Sequence, residues 1–214
     1  MQEILIKNRT LIQTLDWFSN WVFSQEQSVL NGLIHSDEVD ADEACSLEYL
    51  HKRQELPNIE SGYPMHSVGF DLNNKPRSQM PSGWHEIGAE LDSRMVTALG
   101  VGFNALKMYY PENGYIGWHN NSNCPGQNLI MTYTPPDSRG GYFQFQNPIT
   151  KELVTMHDSE GWTAKAGYFG SYREPDKVIW HTARCYNKPR LTISYVIRDQ
   201  WMWEEMVHDI QADQ

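Results

Sequence analysis

"KMYYPENGYIGWHNN", residues 107–121, decides the fold. Two short aromatic, apolar runs flank the turn signal "PENG". Gly114 leads from that turn into "YIGWH", which alternates as a strand does. The hydrophobic period of the chain has changed by this point. From Gly100 onward the runs are short, β-branched and aromatic: "FNALKMYY", "YIGWHN", "NLIMTYT", "GYFQFQN", "ELVTMHD", "WTAKAGYFGSY", "VIWHTA" and "RLTISYVIRD". Turn signals such as "NCPG", "PPDSRGG", "REPDK" and "YNKP" separate them. About eight short strands in roughly one hundred residues predict an all-β sandwich or a double-stranded barrel.

Before Gly100 the period is helical. In residues 9–25 the spacing places Leu11, Leu15, Phe18 and Val22 on one face, with Asn8 or Thr10 as the cap. Residues 40–55 predict a second helix, acidic in its first half and basic near its end, which suits the helix dipole. Residues 56–83 are rich in Pro, Gly, Asn and Ser and read as a long irregular connection. Residues 83–99 predict a third helix ending at Gly100, and "QWMWEEMVHDI" predicts a last one. No solenoid repeat, low-complexity tract or clear linker interrupts the chain. One domain over 1–214 is expected: a helical N-terminal region with a long loop (1–100), a β core (101–198) and a C-terminal helix or tail (199–214). The class is α+β, mainly β, with the N-terminal helices packed on one face of the β core.

Composition narrows the function. The chain has 214 residues and a net charge of −10, and no short stretch is dominated by Lys or Arg. A broad nucleic-acid surface needs clustered cations, so a small molecule or peptide is the favoured substrate, though a local basic groove leaves nucleic acid open. The aromatic content of 12% fits either a rigid core or the walls of a ligand pocket. Three cysteines with no CxxC give neither a disulfide scaffold nor a zinc ribbon and fit a reducing compartment. The N-terminus lacks the basic start and apolar core of a signal peptide, and no apolar run is long enough to span a bilayer. A cytoplasmic protein without a membrane partner is expected. Nothing in the sequence fixes its oligomeric state.

Of the eight histidines, His119 and His181 stand apart. Each ends a predicted strand behind a tryptophan, in "IGWHNN" and "VIWHTA", and only a sheet fold would join them. Arg190 opens the strand "RLTISYV". An arginine directed into a barrel interior is costly unless it meets an anion, and its planar fork suits a carboxylate. Two strand histidines and an interior arginine suggest a metal beside a bound carboxylate. Two histidines in aromatic clusters and a surface arginine are the competing reading.

Residues 104–197 resemble the iron- and 2-oxoglutarate-dependent oxygenase superfamily, its prolyl-hydroxylase-like branch in particular. Four motifs carry the likeness in order: "KMYYPENGYIGWHNN", "LIMTYTPPDSRGGYFQF", "AKAGYFGSY" and "IWHTARCYNKPRLTIS". The resemblance implies a double-stranded β-helix, a jelly-roll barrel of cupin type. His119 and His181 would be imidazole ligands of Fe(II). Arg190 would meet the distal carboxylate of the cosubstrate 2-oxoglutarate, with Thr192 on the same side of the strand. Tyr109 is a further candidate for that carboxylate; Tyr110 alternates to the other face, so only one of the two can serve. Trp118 and Trp180 are read as packing residues. Asn120, Ser122 and Asn123 are candidate substrate contacts beside the metal mouth, and Cys124 and Cys185 are either near the metal rim or buried. The implied activity is a dioxygenase, an oxidoreductase that couples conversion of 2-oxoglutarate to succinate and CO2 with substrate hydroxylation.

One position departs from the family. The usual third ligand is a carboxylate two residues after the first histidine, and here it is Asn121. Asn121 ligates through its amide oxygen or a water fills the place; a halide takes the place; Asp137 or Asp158 completes the site from elsewhere; or the metal site is degenerate. The rivals to an oxygenase are therefore a non-catalytic binding module on this fold and a cupin-like metalloprotein that does not use 2-oxoglutarate.

Overall fold

Gln2–Ile4 forms a strand, β1, ahead of the first helix. Asn8 then caps α1 (Arg9–Phe23) by accepting the Leu11 N–H at 2.9 Å, which satisfies one of the donors a helix leaves open in its first turn. Leu11, Leu15, Phe18 and Val22 form its buried face, as their spacing predicts. A helix the periodicity does not announce, α2 (Gln27–Leu33), and a two-residue strand, β2 (His35–Ser36), follow. The helix predicted over 40–55 is two, α3 (Ala41–Ala44) and α4 (Leu47–Gln54). Asp40 and Ser46 each start one, accepting the N–H groups of Glu43 and Tyr49. The 56–83 connection is more ordered than its composition suggests: it holds α5 (Asn58–Ser61) and a strand, β3 (Ser67–Asp71). Next comes α6 (Trp84–Leu99), closed by Gly100 at φ 67°, a left-handed cap that favours glycine.

The predicted strands are all present: β4 (Asn104–Tyr110), β5 (Tyr115–His119), β6 (Gly126–Thr134) and β7 (Tyr142–Gln146). They continue as β8 (Leu153–His157), β9 (Gly161–Phe169), β10 (His181–Arg184) and β11 (Arg190–Ile197), before α7 (Gln200–Gln211). β10 begins at His181, so residues 178–180 of the predicted strand precede it. The computed structural model describes residues 1–73, 75–102 and 104–212. Asn74 of the expected connection, Phe103 of the first predicted strand, and Asp213 and Gln214 of the tail lie outside them.

The hydrogen-bonded path runs β1-β9-β6-β11-β4-β3-β5-β10-β7-β8, with β2 on β3. Two four-stranded antiparallel layers, β9-β6-β11-β4 and β5-β10-β7-β8, are thus joined through β3. Its two ends divide: Phe70 and Asp71 pair with β4, while Ser67 and Val68 pair with β5. This is a double-stranded β-helix of jelly-roll type. Alternation then sorts the side chains. On β11, Leu191, Ile193, Tyr195 and Ile197 face a core built with α1, α6 and α7. Arg190, Thr192, Ser194 and Val196 face the space between the layers. That space holds a second core, with Met108, Tyr110 and Ile130 from one layer and Ile116, Phe143 and Ala183 from the other. The short α3 and α4 pack against Tyr115 and Trp118 of β5. Among the described residues no helix is long and apolar enough to cross a membrane.

Candidate metal and carboxylate site

The two histidines meet because β5 and β10 are neighbours. His181 pairs directly with His119, and the register then shifts, with Ala183 opposite Ile116. β5 thus carries one residue more than β10 between these pairs, a bulge. It lets Ile116 and His119, three positions apart, both line the cavity, while Trp118 turns to the outer packing and donates its indole N–H to the Cys45 carbonyl at 3.0 Å. Trp180 joins the same outer cluster, so both tryptophans pack as expected.

The imidazole centroids are 4.1 Å apart. Nδ1 of His119 lies 2.8 Å from the Gly117 carbonyl, and Nδ1 of His181 lies 3.0 Å from that of Ile179. A carbonyl only accepts, so both Nδ1 atoms carry the proton and both Nε2 atoms present a lone pair. Burial holds both rings neutral. It is the main cause pulling His119 well below the usual histidine range, helped by the neighbouring His181, and it lowers His181 to about 4. Phe143 and Phe169 flank His181 with centroids 5.4 and 4.7 Å away. Neutral rings fixed through Nδ1, with Nε2 unprotonated, are in the state a metal requires of histidine.

Asn121 does stand beside this pair. Its backbone is left-handed, φ 52°, which asparagine tolerates better than most residues. Its Nδ2 lies 3.4 Å from Nε2 of His181. No acid completes the set: among the described residues no group of three or more His, Cys, Asp or Glu side chains could hold a metal. Asp158, a candidate third ligand by sequence, is committed elsewhere. Asp137 sits in a turn, its N–H donating to Glu160.

Asp158 instead receives Nε of Arg190 at 2.8 Å on one oxygen and Nζ of Lys165 at 3.1 Å on the other. All three side chains are at most 2% exposed. Burial pushes the Asp158 carboxyl up, but the Arg190 and Lys165 charges outweigh it and hold it below the ordinary value. The terminal nitrogens of Arg190 donate to Thr192 Oγ1 at 2.9 Å and Thr132 Oγ1 at 3.3 Å, and Tyr110 lies against the guanidinium, 5.4 Å from its ring centroid. Two cations against one carboxylate leave the ionised triad with one surplus positive charge.

A cavity of about 450 Å³ between the layers is lined by His119, His181 and Asn121 and also by Arg190, Thr192 and Tyr110. The sequence therefore located five of these six, and the structure exchanges the tyrosine. Tyr109 points away, packing on Phe70 and Phe23 with centroids 5.3 and 6.0 Å apart; alternation on β4 gives the cavity to Tyr110. Asn123 and Cys124 line the cavity. Asn120 and Ser122 do not: both are buried, and Asn120 bonds to Ser61 and to the Ser122 N–H. Cys185 is buried with its thiol against the Pro111 carbonyl. Sequence reasoning missed Lys165. The signal was there: in "TAKAG" a lone lysine alternates with two alanines that face the helix-side core, so parity sends it inward.

Fold and site together define a double-stranded β-helix protein with a paired-histidine cavity. No family model matches the chain, and no curated protein matches it. Solved structures similar to it include members of the 2OG-Fe(II) oxygenase family. A Pseudomonas putida prolyl-4-hydroxylase shares 13% identity, with 80% of this chain and 98% of that one covered and a TM-score of 0.35. A Burkholderia pseudomallei oxidoreductase of the 2OG-Fe(II) oxygenase family shares 12%, with 74% and 82% covered and a TM-score of 0.37. A cupin domain from Bordetella pertussis shares 14%, with 44% and 79% covered and a TM-score of 0.29. Likenesses this distant carry no chemistry, so what the site does has to come from its own residues.

Proposed function

We propose that the chain is an Fe(II)- and 2-oxoglutarate-dependent oxygenase, with hydroxylation of a small molecule or peptide as its reaction. One observation carries this: a single cavity joins two neutral imidazoles presenting Nε2 to an arginine whose buried triad has a surplus positive charge. The donor set fits a divalent metal, since both Nε2 atoms are oriented, buried and deprotonated. His119 and His181 would hold the metal, with Asn121 beside them. When bound, Fe(II) supplies the redox centre and Lewis acid for O2 chemistry.

The chain's own residues do the rest. The surplus charge at Arg190 attracts a carboxylate, and the Thr192 hydroxyl beside it is a further donor. Asp158 takes Nε, and the two threonines take one N–H on each terminal nitrogen. A guanidinium has five N–H groups, so one on each terminal nitrogen is left for a ligand. Tyr110 packs against the guanidinium from one side. Ile116, Ile130, Phe143 and Phe169 line the cavity and exclude water around the reacting groups.

The test is anaerobic addition of Fe(II) and 2-oxoglutarate followed by O2. A weak visible absorption band before O2 and succinate after it are expected from the wild type. Arg190→Ala should lose 2-oxoglutarate binding while keeping the metal, and His181→Ala should lose the metal. Absence of both the band and succinate refutes the proposal.

A further inference from the structure

Asn121 puts a neutral amide where a metal site of this kind normally has its one negative protein ligand. We propose that Asn121 makes metal loading conditional on a chelating dianion, so that metal and keto acid enter as an electrically balanced pair. This rests on the oxygenase reading and adds a regulation of the same site.

Asn121 is held from both sides of its peptide. Its N–H donates to the Gly62 carbonyl at 2.9 Å, and its own carbonyl accepts the Cys124 N–H at 2.8 Å. The backbone held in this way carries the side chain next to His181, with Nδ2 3.4 Å from Nε2. Nε2 is an acceptor, because Nδ1 spends its proton on Ile179. The amide thus points a donor at the lone pair that a metal would need. Without it, two bare acceptors would face each other across the histidine pair. An amide serves both states: turned about its last bond it presents Oδ1 instead. A carboxylate in this place would be an acceptor facing an acceptor until a cation arrived.

The charge count gives the consequence. His119, His181 and Asn121 contribute none. Asp158 is consumed by Arg190 and Lys165. Asp71 also lines the cavity, but its carboxylate accepts the backbone N–H groups of Asn73 and Lys107 at 2.9 and 3.2 Å and joins no metal-holding group with the histidines. A dication bound to the histidines would have no anionic protein ligand, since Asp71 keeps its charge but joins no ligand set with them, and the nearby triad carries a surplus positive charge; a buried charge without a direct counter-ion is costly. A keto acid dianion cancels it. Linkage is reciprocal, so each ligand must raise the other's affinity by the same factor.

Equilibrium dialysis of Mn(II), which avoids turnover in air, against the wild-type chain with and without saturating 2-oxoglutarate tests this. The wild type is expected to bind Mn(II) on the order of 100-fold more tightly with 2-oxoglutarate present. Asn121→Asp, which suits the same left-handed backbone, should bind Mn(II) alone much more tightly and gain far less from the keto acid. Wild-type affinity that is the same with and without 2-oxoglutarate overturns the proposal, whatever the variant does. Equal gains in wild type and variant overturn the assignment to Asn121. No Mn(II) binding by either protein under either condition overturns the oxygenase reading itself.

Discussion

Asp158→Asn removes the anion from between two buried cations. The change keeps the shape but presents the guanidinium or the ammonium with an NH2 group instead of an oxygen, and it leaves Arg190 and Lys165 repelling each other. Breaking a buried ion pair by removing one partner costs about 3–5 kcal/mol. Here one residue serves two partners at 2.8 and 3.1 Å, so about 4 kcal/mol is the lower expectation. That is a large share of the roughly 5–15 kcal/mol that holds a domain folded. With a urea slope of about 2.5 kcal/mol/M, the midpoint should fall by about 1.5 M. Adding Lys165→Met removes one of the stranded charges, so the double variant should be about 1–2 kcal/mol more stable than Asp158→Asn alone. A loss below about 1 kcal/mol for Asp158→Asn, or costs that simply add in the double variant, would refute the triad as an energetic unit.

The pH dependence follows with a definite sign. The folded-state value of Asp158 is depressed, because the Arg190 and Lys165 charges outweigh its burial. A depressed carboxylate stabilises fully above its unfolded value near 4 and loses that contribution as pH falls through the folded value. The gap between wild type and Asp158→Asn in urea titrations should therefore be constant near neutrality and close below about pH 4.

Three further outcomes separate readings of the site. Tyr110→Leu should weaken 2-oxoglutarate binding, measured by tryptophan fluorescence, whereas Tyr109→Phe should leave it unchanged, because only Tyr110 lies on the cavity side beside Arg190. Trp118→Phe strands the Cys45 carbonyl and opens space in a fully buried position; a loss of about 2 kcal/mol in thermal or urea melts is expected. Leu15→Ala, in the centre of the α1 face, should cost about 2–5 kcal/mol in the same melts and leave metal binding intact.

The β core was legible because each of its strands carries its own alternation and its own turn. Strands that borrow their stability from neighbours were not. β1 has three residues at a sheet edge, too few for a period to show. β3 lies in a Pro- and Gly-rich stretch and is fixed by pairing with β4 at one end and β5 at the other. The histidines and Arg190 could be named from their places at strand ends. The β5 bulge that turns His119 to the same side as Ile116 could not, since it exists only in the register with β10. Asp158 was seen as a possible acid, but its role depended on Lys165 and Arg190 arriving from β9 and β11. Tyr109 and Tyr110 show the limit most simply: alternation says that they differ, and only the sheet says which one faces in.

β11 explains why fold and site cannot be separated in this chain. Its outward residues, Leu191, Ile193, Tyr195 and Ile197, are all buried in the helix-side core. Its inward residues grade from charged Arg190 through Thr192 and Ser194 to apolar Val196 along the cavity. A slip of one residue would exchange the two faces, placing a guanidinium among the helix-side aliphatics and the leucine and isoleucine in the cavity. The core therefore fixes the register, and the register places Arg190 beside Asp158. Within that frame the inward gradient gives a ligand a direction: a carboxylate belongs at the Arg190 end, because an anion moved along the strand toward Val196 would give up the surplus charge and meet neutral groups such as Val196 and the Asn128 opposite it.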